Sequence, residues 1–134
     1  MQLPPSATFP NGRISAKPFV RVEISAVHGK VSCLALIDSG AEECVFPRSF
    51  LPRLGLNPLH APVEFSSGLG SSNIPTHLFD IDLNLAGVTK VPVRAGFTVG
   101  MDDYGFGLLG QTGFFDRFHV AFKLDKGIFE VEVP

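Results

Sequence analysis

The chain has 134 residues, 45% of them apolar and 13 of them Phe, with a formal charge of -2. That length and apolar content suit one compact domain with a real core rather than two. The charge leaves no basic footprint for nucleic acid, and no apolar run reaches the roughly 18 residues of a membrane-spanning helix. Two cysteines, Cys33 and Cys44, are too few for a disulfide scaffold, and each reads as a small buried hydrophobe.

Residues 1–17 hold three Pro among Ser, Asn and Gly without periodicity, which reads as a flexible N-terminal arm ahead of a domain over 18–134. The start of the chain lacks the charged and apolar regions of a signal peptide, and a cytoplasmic setting is the expectation. Phe19 to Val27 alternates as a strand, with Val20, Val22 and Ile24 on one face. A turn at His28-Gly29-Lys30 leads into a second strand, Val31 to Ile37, that delivers Asp38. Cys44-Val45-Phe46 resumes extended structure, and Arg48 to Gly55 has room for a short helical turn. Ala61 to Ser67 and Ile74 to Leu85 read as a hairpin with a glycine-rich end at Gly68 to Ser72. Phe79, Ile81, Leu83 and Leu85 are expected on its apolar face, and Asp80 and Asp82 on its wet face. Val88 to Val99 is strand interrupted by Pro92, and Gln111 to Phe118 has room for one short helix. A terminal hairpin follows, Val120 to Leu124 and Ile128 to Val133 around Asp125-Lys126-Gly127. Many short strands with one late helix predict an all-β fold, a small closed β-barrel with one short C-terminal helix.

The chemistry concentrates at Leu34-Ala35-Leu36-Ile37-Asp38-Ser39-Gly40-Ala41. A buried strand that ends in Asp-Ser-Gly places a carboxylate at a strand tip, on a tight turn that only small residues allow. This pattern resembles the active-site loop of aspartic proteases, and the single copy in a short chain narrows the resemblance to the retropepsin-like, retroviral type. The order of later features is similar too: a glycine-tipped hairpin, then Leu108-Leu109-Gly110 before a short helix. The resemblance spans about residues 18–133 and implies the fold of that family.

Carried over residue by residue, the resemblance makes Asp38 the catalytic aspartate. Ser39 corresponds to the hydroxyl residue that grips its counterpart across a dimer, and Gly40 to the residue whose carbonyl meets the substrate backbone. Ala41 completes the loop. Glu42 and Glu43 stand where many viral members carry two aspartates that bind substrate ends. Gly68, Leu69 and Gly70 correspond to the tip of a flap over the substrate. Gln111 departs from the pattern, since viral members often carry Arg there, and the ion pair made by that Arg is not expected. The chemistry needs two carboxylates in hydrogen-bonding reach that share one proton. One Asp-Ser-Gly supplies half of that, so the resemblance implies a homodimer acting on a polypeptide substrate. No cofactor or metal, no nucleic acid and no membrane is implied.

Other readings compete. Asp38 alone could be a turn former bonding nearby backbone N–H groups. Ser39 lacks the Gly-x-Ser-x-Gly surroundings of a hydrolase nucleophile. Gly105-Phe-Gly-Leu-Leu-Gly110 matches a dinucleotide fingerprint literally, but that reading needs a strand before it, a long helix after it and further parallel strands beyond. His28, His60, His77 and His119 show no paired metal-ligand spacing. The functional expectation is a homodimeric aspartic endopeptidase, with a catalytically inert retropepsin-fold module for dimerisation or peptide binding as the alternative.

Overall fold

A computed structural model describes residues 17–66, 74–85, 87, 89–126 and 128–132. The arm expected over 1–17 lies outside the described residues apart from Lys17, as does the expected hairpin tip at Gly68, Leu69 and Gly70.

The first hairpin forms where apolar alternation places it. β1 (Phe19–Ala26) pairs antiparallel with β2 (Gly29–Ile37), and Val20, Val22 and Ile24 are buried together. β3 (Cys44–Pro47) follows the Asp38 turn, and a single helical turn, α1 (Leu51–Leu54), lies beyond it. β4 (Val63–Ser66) and β5 (Ile74–Leu85) form the second hairpin, and β6 (Thr89–Thr98) turns back along β5. β7 (Gly107–Leu109) is short. The terminal hairpin is β8 (His119–Lys123) with β9 (Ile128–Glu132), paired with each other in a separate two-stranded sheet.

The main sheet runs β1-β2-β7-β3-β6-β5 and closes because the far end of β5 also pairs with β1. β5 makes this possible by its length. Its 12 residues pair β4 at Ile74–His77 and β1 at Asp82–Leu85 along one edge, while β6 occupies the other. A six-strand barrel of this size is filled by its own side chains. Phe46, Phe97, Leu109, Phe114 and Phe129 are fully buried there with the β1 face. The Phe97 ring stacks tilted on Phe46 at 5.9 Å between centroids and meets Phe79 edge-on at 6.0 Å, a favourable aromatic geometry.

Three local expectations change. Ile81, Leu83 and Leu85 are buried as the alternation predicts, and Phe79 is half-buried against the core, but Thr76 and Leu78 on the opposite face are buried as well. At that end Leu78 N–H donates to the Pro62 carbonyl along the strand edge, and Met101 is buried in the turn that follows β6. Pro92 does not interrupt β6. It pairs opposite Asp82 in a stretch that β3 does not reach, and a missing N–H is tolerated on such an open edge.

The third change is the place of the helix. The closed barrel with one short α-helix stands, but among the described residues that helix is Leu51–Leu54, and 111–118 is a run of turns. Gly113 sits at φ +101°, outside helical space, and its N–H is capped by Asp116 Oδ1 at 3.0 Å. Around it Phe115 and Asp116 donate five residues back, to Gly110 and Gln111, so the segment opens wider than a helix. Its Phe114 and Phe118, at helical spacing, still reach the core.

The aromatic core and the charged outer face of β5–β6 should separate cleanly in mutagenesis. Phe97→Ala is expected to cost about 3–5 kcal/mol in urea unfolding. Asp80→Asn, which removes an exposed pair with Arg94 at 3.3 Å, should cost less than about 1 kcal/mol.

Candidate active site

Asp38 lies one residue past the end of β2, where that strand is wedged between β1 and the parallel β7. The register is Ala35 with Gly107, Leu36 with Leu108 and Ile37 with Leu109. Asp38 N–H continues the pairing by donating to the Leu109 carbonyl at 3.0 Å. The chain then turns tightly. Gly40 N–H donates to Asp38 Oδ1 at 2.9 Å, and Ala41 N–H to the Asp38 carbonyl at 3.1 Å. The Asp side chain thus organises its own turn, as Asx motifs do, and the turn fixes the carboxylate in return. Asp38 is half-buried, while Ser39 and Gly40 are exposed.

The segment after β7 runs beside this loop. Gln111 N–H donates to the Ala41 carbonyl at 2.9 Å, and Thr112 N–H to the Glu42 carbonyl at 2.8 Å. Glu43 and Thr112 form an isolated parallel bridge, and Cys44 Sγ–H reaches the Thr112 carbonyl at 3.6 Å. Gln111 Nε2 donates to the Ser39 carbonyl at 2.8 Å. This contact depends on Gly110. A Cβ there would collide with the Glu43 carbonyl and lie 2.7 Å from that of Ala41, so a larger residue would force the two segments apart.

Asp38, Ser39, Gly40, Ala41, Glu42 and Glu43 therefore share one loop. Gly68, Leu69 and Gly70 lie outside the described residues, but the base of their hairpin reaches the site. Glu64 of β4 lies beside Glu43, whose carboxyl is raised above its ordinary range. Burial is the largest cause; the charges of Glu64 and Glu42 and a hydrogen bond with Glu64 add to it, and Arg94 partly offsets them. Nothing in the sequence pointed to Glu64, which meets Glu43 only in the folded chain. The role of Gln111 was equally hidden, its position standing out only as a departure from Arg. Burial pushes the Cys33 and Cys44 thiols up to about 11. Both stay protonated at neutral pH, and a neutral thiol is a poor nucleophile. Among the described residues no group of three or more His, Cys, Asp or Glu is arranged to hold a metal ion, and no helix is long and apolar enough to cross a membrane.

A closed barrel with an Asp-Ser-Gly turn braced by an apolar-apolar-Gly strand defines the retropepsin-like fold. Among solved structures, the chain is similar to a retropepsin-like aspartic protease from Rickettsia conorii. The TM-score is 0.64 at 10% identity, over 98% of this chain and 90% of that one. It is also similar to EIAV protease complexed with the inhibitor HBY-793, with a TM-score of 0.51 at 18% identity, over 74% of this chain and 86% of that one. At such identities the likeness is one of fold. No protein-family model and no curated protein matches the chain.

The direction of the Glu43 shift makes a stability claim. A carboxyl raised in the folded state contributes stability at low pH that is lost as the pH rises through its titration. Glu43→Gln should therefore raise Tm at pH 7, with the gain shrinking as the pH falls below the carboxylate range. A thermal-melt series from pH 3 to 8 on both proteins reads this directly.

Proposed function

We propose that this protein is a homodimeric aspartic endopeptidase, with Asp38 of each subunit meeting on a two-fold axis. The observation that carries the reading is the Asp38 turn itself. A carboxylate at a strand tip accepts the Gly40 N–H, and its loop is braced by Leu109, Gln111 and Thr112. A plain turn-forming Asp needs no such bracing from a strand some seventy residues away. The similarity in fold to two aspartic proteases supports the same reading.

The reaction follows from two carboxyls in close reach. Like charges that near cannot both ionise, so the pair holds one proton. The ionised member takes a proton from a bound water, whose oxygen attacks the peptide carbonyl carbon. The protonated member donates its proton to the carbonyl oxygen as charge develops there. The tetrahedral intermediate then collapses: the C–N bond breaks, and the amine leaves with a proton returned by the pair. In this scheme Ser39 joins the two loops across the axis through its hydroxyl, and the exposed Gly40 presents its carbonyl to the substrate backbone. Glu42 and Glu43 contact the ends of an extended peptide. The β4–β5 hairpin serves as the flap, with Gly68, Leu69 and Gly70 at its tip, and the peptide lies beneath it as an added strand. The domain that does this comprises 18–134, with 1–17 as an arm.

Asp38→Asn keeps the shape of the side chain and removes its ionisation. It is expected to lower cleavage of a mixed peptide pool by about 10^2–10^4-fold, with unchanged dimer mass and melting temperature. Wild-type cleavage should be strongest at mildly acidic pH and be blocked by a pepstatin-like inhibitor. Equal cleavage by both proteins, or a flat rate from pH 4 to 9, would sink the assignment in favour of an inert module.

A further inference from the structure

We infer that Gln111 is a positioning residue for Asp38, acting through the single peptide group between Ser39 and Gly40. The two ends of that group are both engaged. Its carbonyl, that of Ser39, accepts from Gln111 Nε2 at 2.8 Å, and its N–H, that of Gly40, donates to Asp38 Oδ1 at 2.9 Å. The chain has no cis peptide among its described bonds, so carbonyl and N–H point to opposite sides of a rigid plane. A donor at one end and an acceptor at the other polarise that plane in the same sense, which strengthens both bonds.

The geometry is specific to this residue. Gln111 backbone N–H holds the Ala41 carbonyl at 2.9 Å, so one residue fixes carbonyls on both sides of Gly40. Gly40 has no side chain with which to resist rotation, and a rotation of its peptide would swing the N–H off the carboxylate. The backbone bond of Gln111 places the residue, and its carboxamide then reaches past Gly40 to stop that rotation. The carboxamide carries no charge. It delivers a directed donor to the Ser39 carbonyl. Ser39 and Gln111 are both exposed, so water competes for the Ser39 carbonyl and the expected effect is moderate.

The consequence for rate rests on the protease reading above; the positioning of the Asp38 carboxylate does not. Two variants separate the donor from mere bulk. Gln111→Met keeps the length and removes the donor, and Gln111→Arg restores donors on a longer arm. In the full chain, Gln111→Met should expose the Gly40 amide, seen as an upfield proton shift and roughly tenfold faster hydrogen exchange by NMR, the scale that one net hydrogen bond confers. It should lower kcat about tenfold with KM little changed, as loss of a group that orients the reacting one does. Gln111→Arg should return the Gly40 amide and kcat to within about threefold of wild type, on the same scale of outer-shell effects. The inference fails if Gln111→Met leaves the Gly40 amide as in wild type. It fails equally if the Arg variant is as disturbed as the Met variant, or if KM rather than kcat carries the change. Should the wild type show no Asp38-dependent cleavage, the protease reading falls by itself, and the Gly40 amide still decides whether Gln111 sets the carboxylate.

Discussion

The parallel pairing of Gly107–Leu109 against the end of β2 is the constraint on which the site depends. It does not stop where the strands stop. The same two segments go on exchanging backbone bonds from Asp38 to Thr112, so a turn of small, exposed residues is held as firmly as a strand. Each such bond contributes only about 0.5–1.5 kcal/mol net, but together they over-determine the turn. Gly110 is the point where this closeness becomes visible, because there is no room between the segments for even a methyl group. The carboxylate is thereby fixed by backbone geometry, with one face left toward solvent.

Much of this was legible from residues close together in the chain. The β1–β2 hairpin and the β4–β5 hairpin follow from alternation and turn residues, and Asp38 follows from a strand that runs into Asp-Ser-Gly. A closed barrel was expected, but the pairings that close it were not legible. Closure depends on β5 serving two neighbours along one edge, and the two parallel pairings, β2 with β7 and β3 with β6, join segments far apart in sequence. The misplaced helix has a local cause. Phe114 and Phe118 have helical spacing, yet Gly113 adopts a positive φ that lets the same rings reach the core from a wide turn. Leu78 shows the limit of period-two reasoning. A strand buried on both faces at one end and one face at the other has no single alternation to find.

Distant pairing also explains why the two residues beside the site that sequence missed are polar ones. Apolar residues announce their side of a strand by repetition. A single Gln or Glu does not, and its meaning is set by whichever carbonyl or carboxylate the fold brings opposite. Gln111 meets the Ser39 carbonyl because β7 lies parallel to β2, and Glu64 of the second hairpin meets Glu43 of the loop after β2, segments that are not neighbours in the chain.

That second meeting ties the hairpin to the Asp38 loop through charge. At neutral pH, Glu42, Glu43 and Glu64 repel one another, and Arg94 offsets only part of this. As the pH falls, Glu43 is protonated ahead of an ordinary glutamate, the repulsion eases, and the carboxyl can donate to Glu64. That bond links the β4–β5 hairpin to the Asp38 loop. The proposed reaction also needs an acid pair that retains one proton, a state that acidity favours. In that proposal, the acidity that keeps a proton on the Asp38 pair is the same acidity that protonates Glu43. The one contact between the hairpin and the Asp38 loop that charge governs is therefore strengthened, not weakened, by acidity.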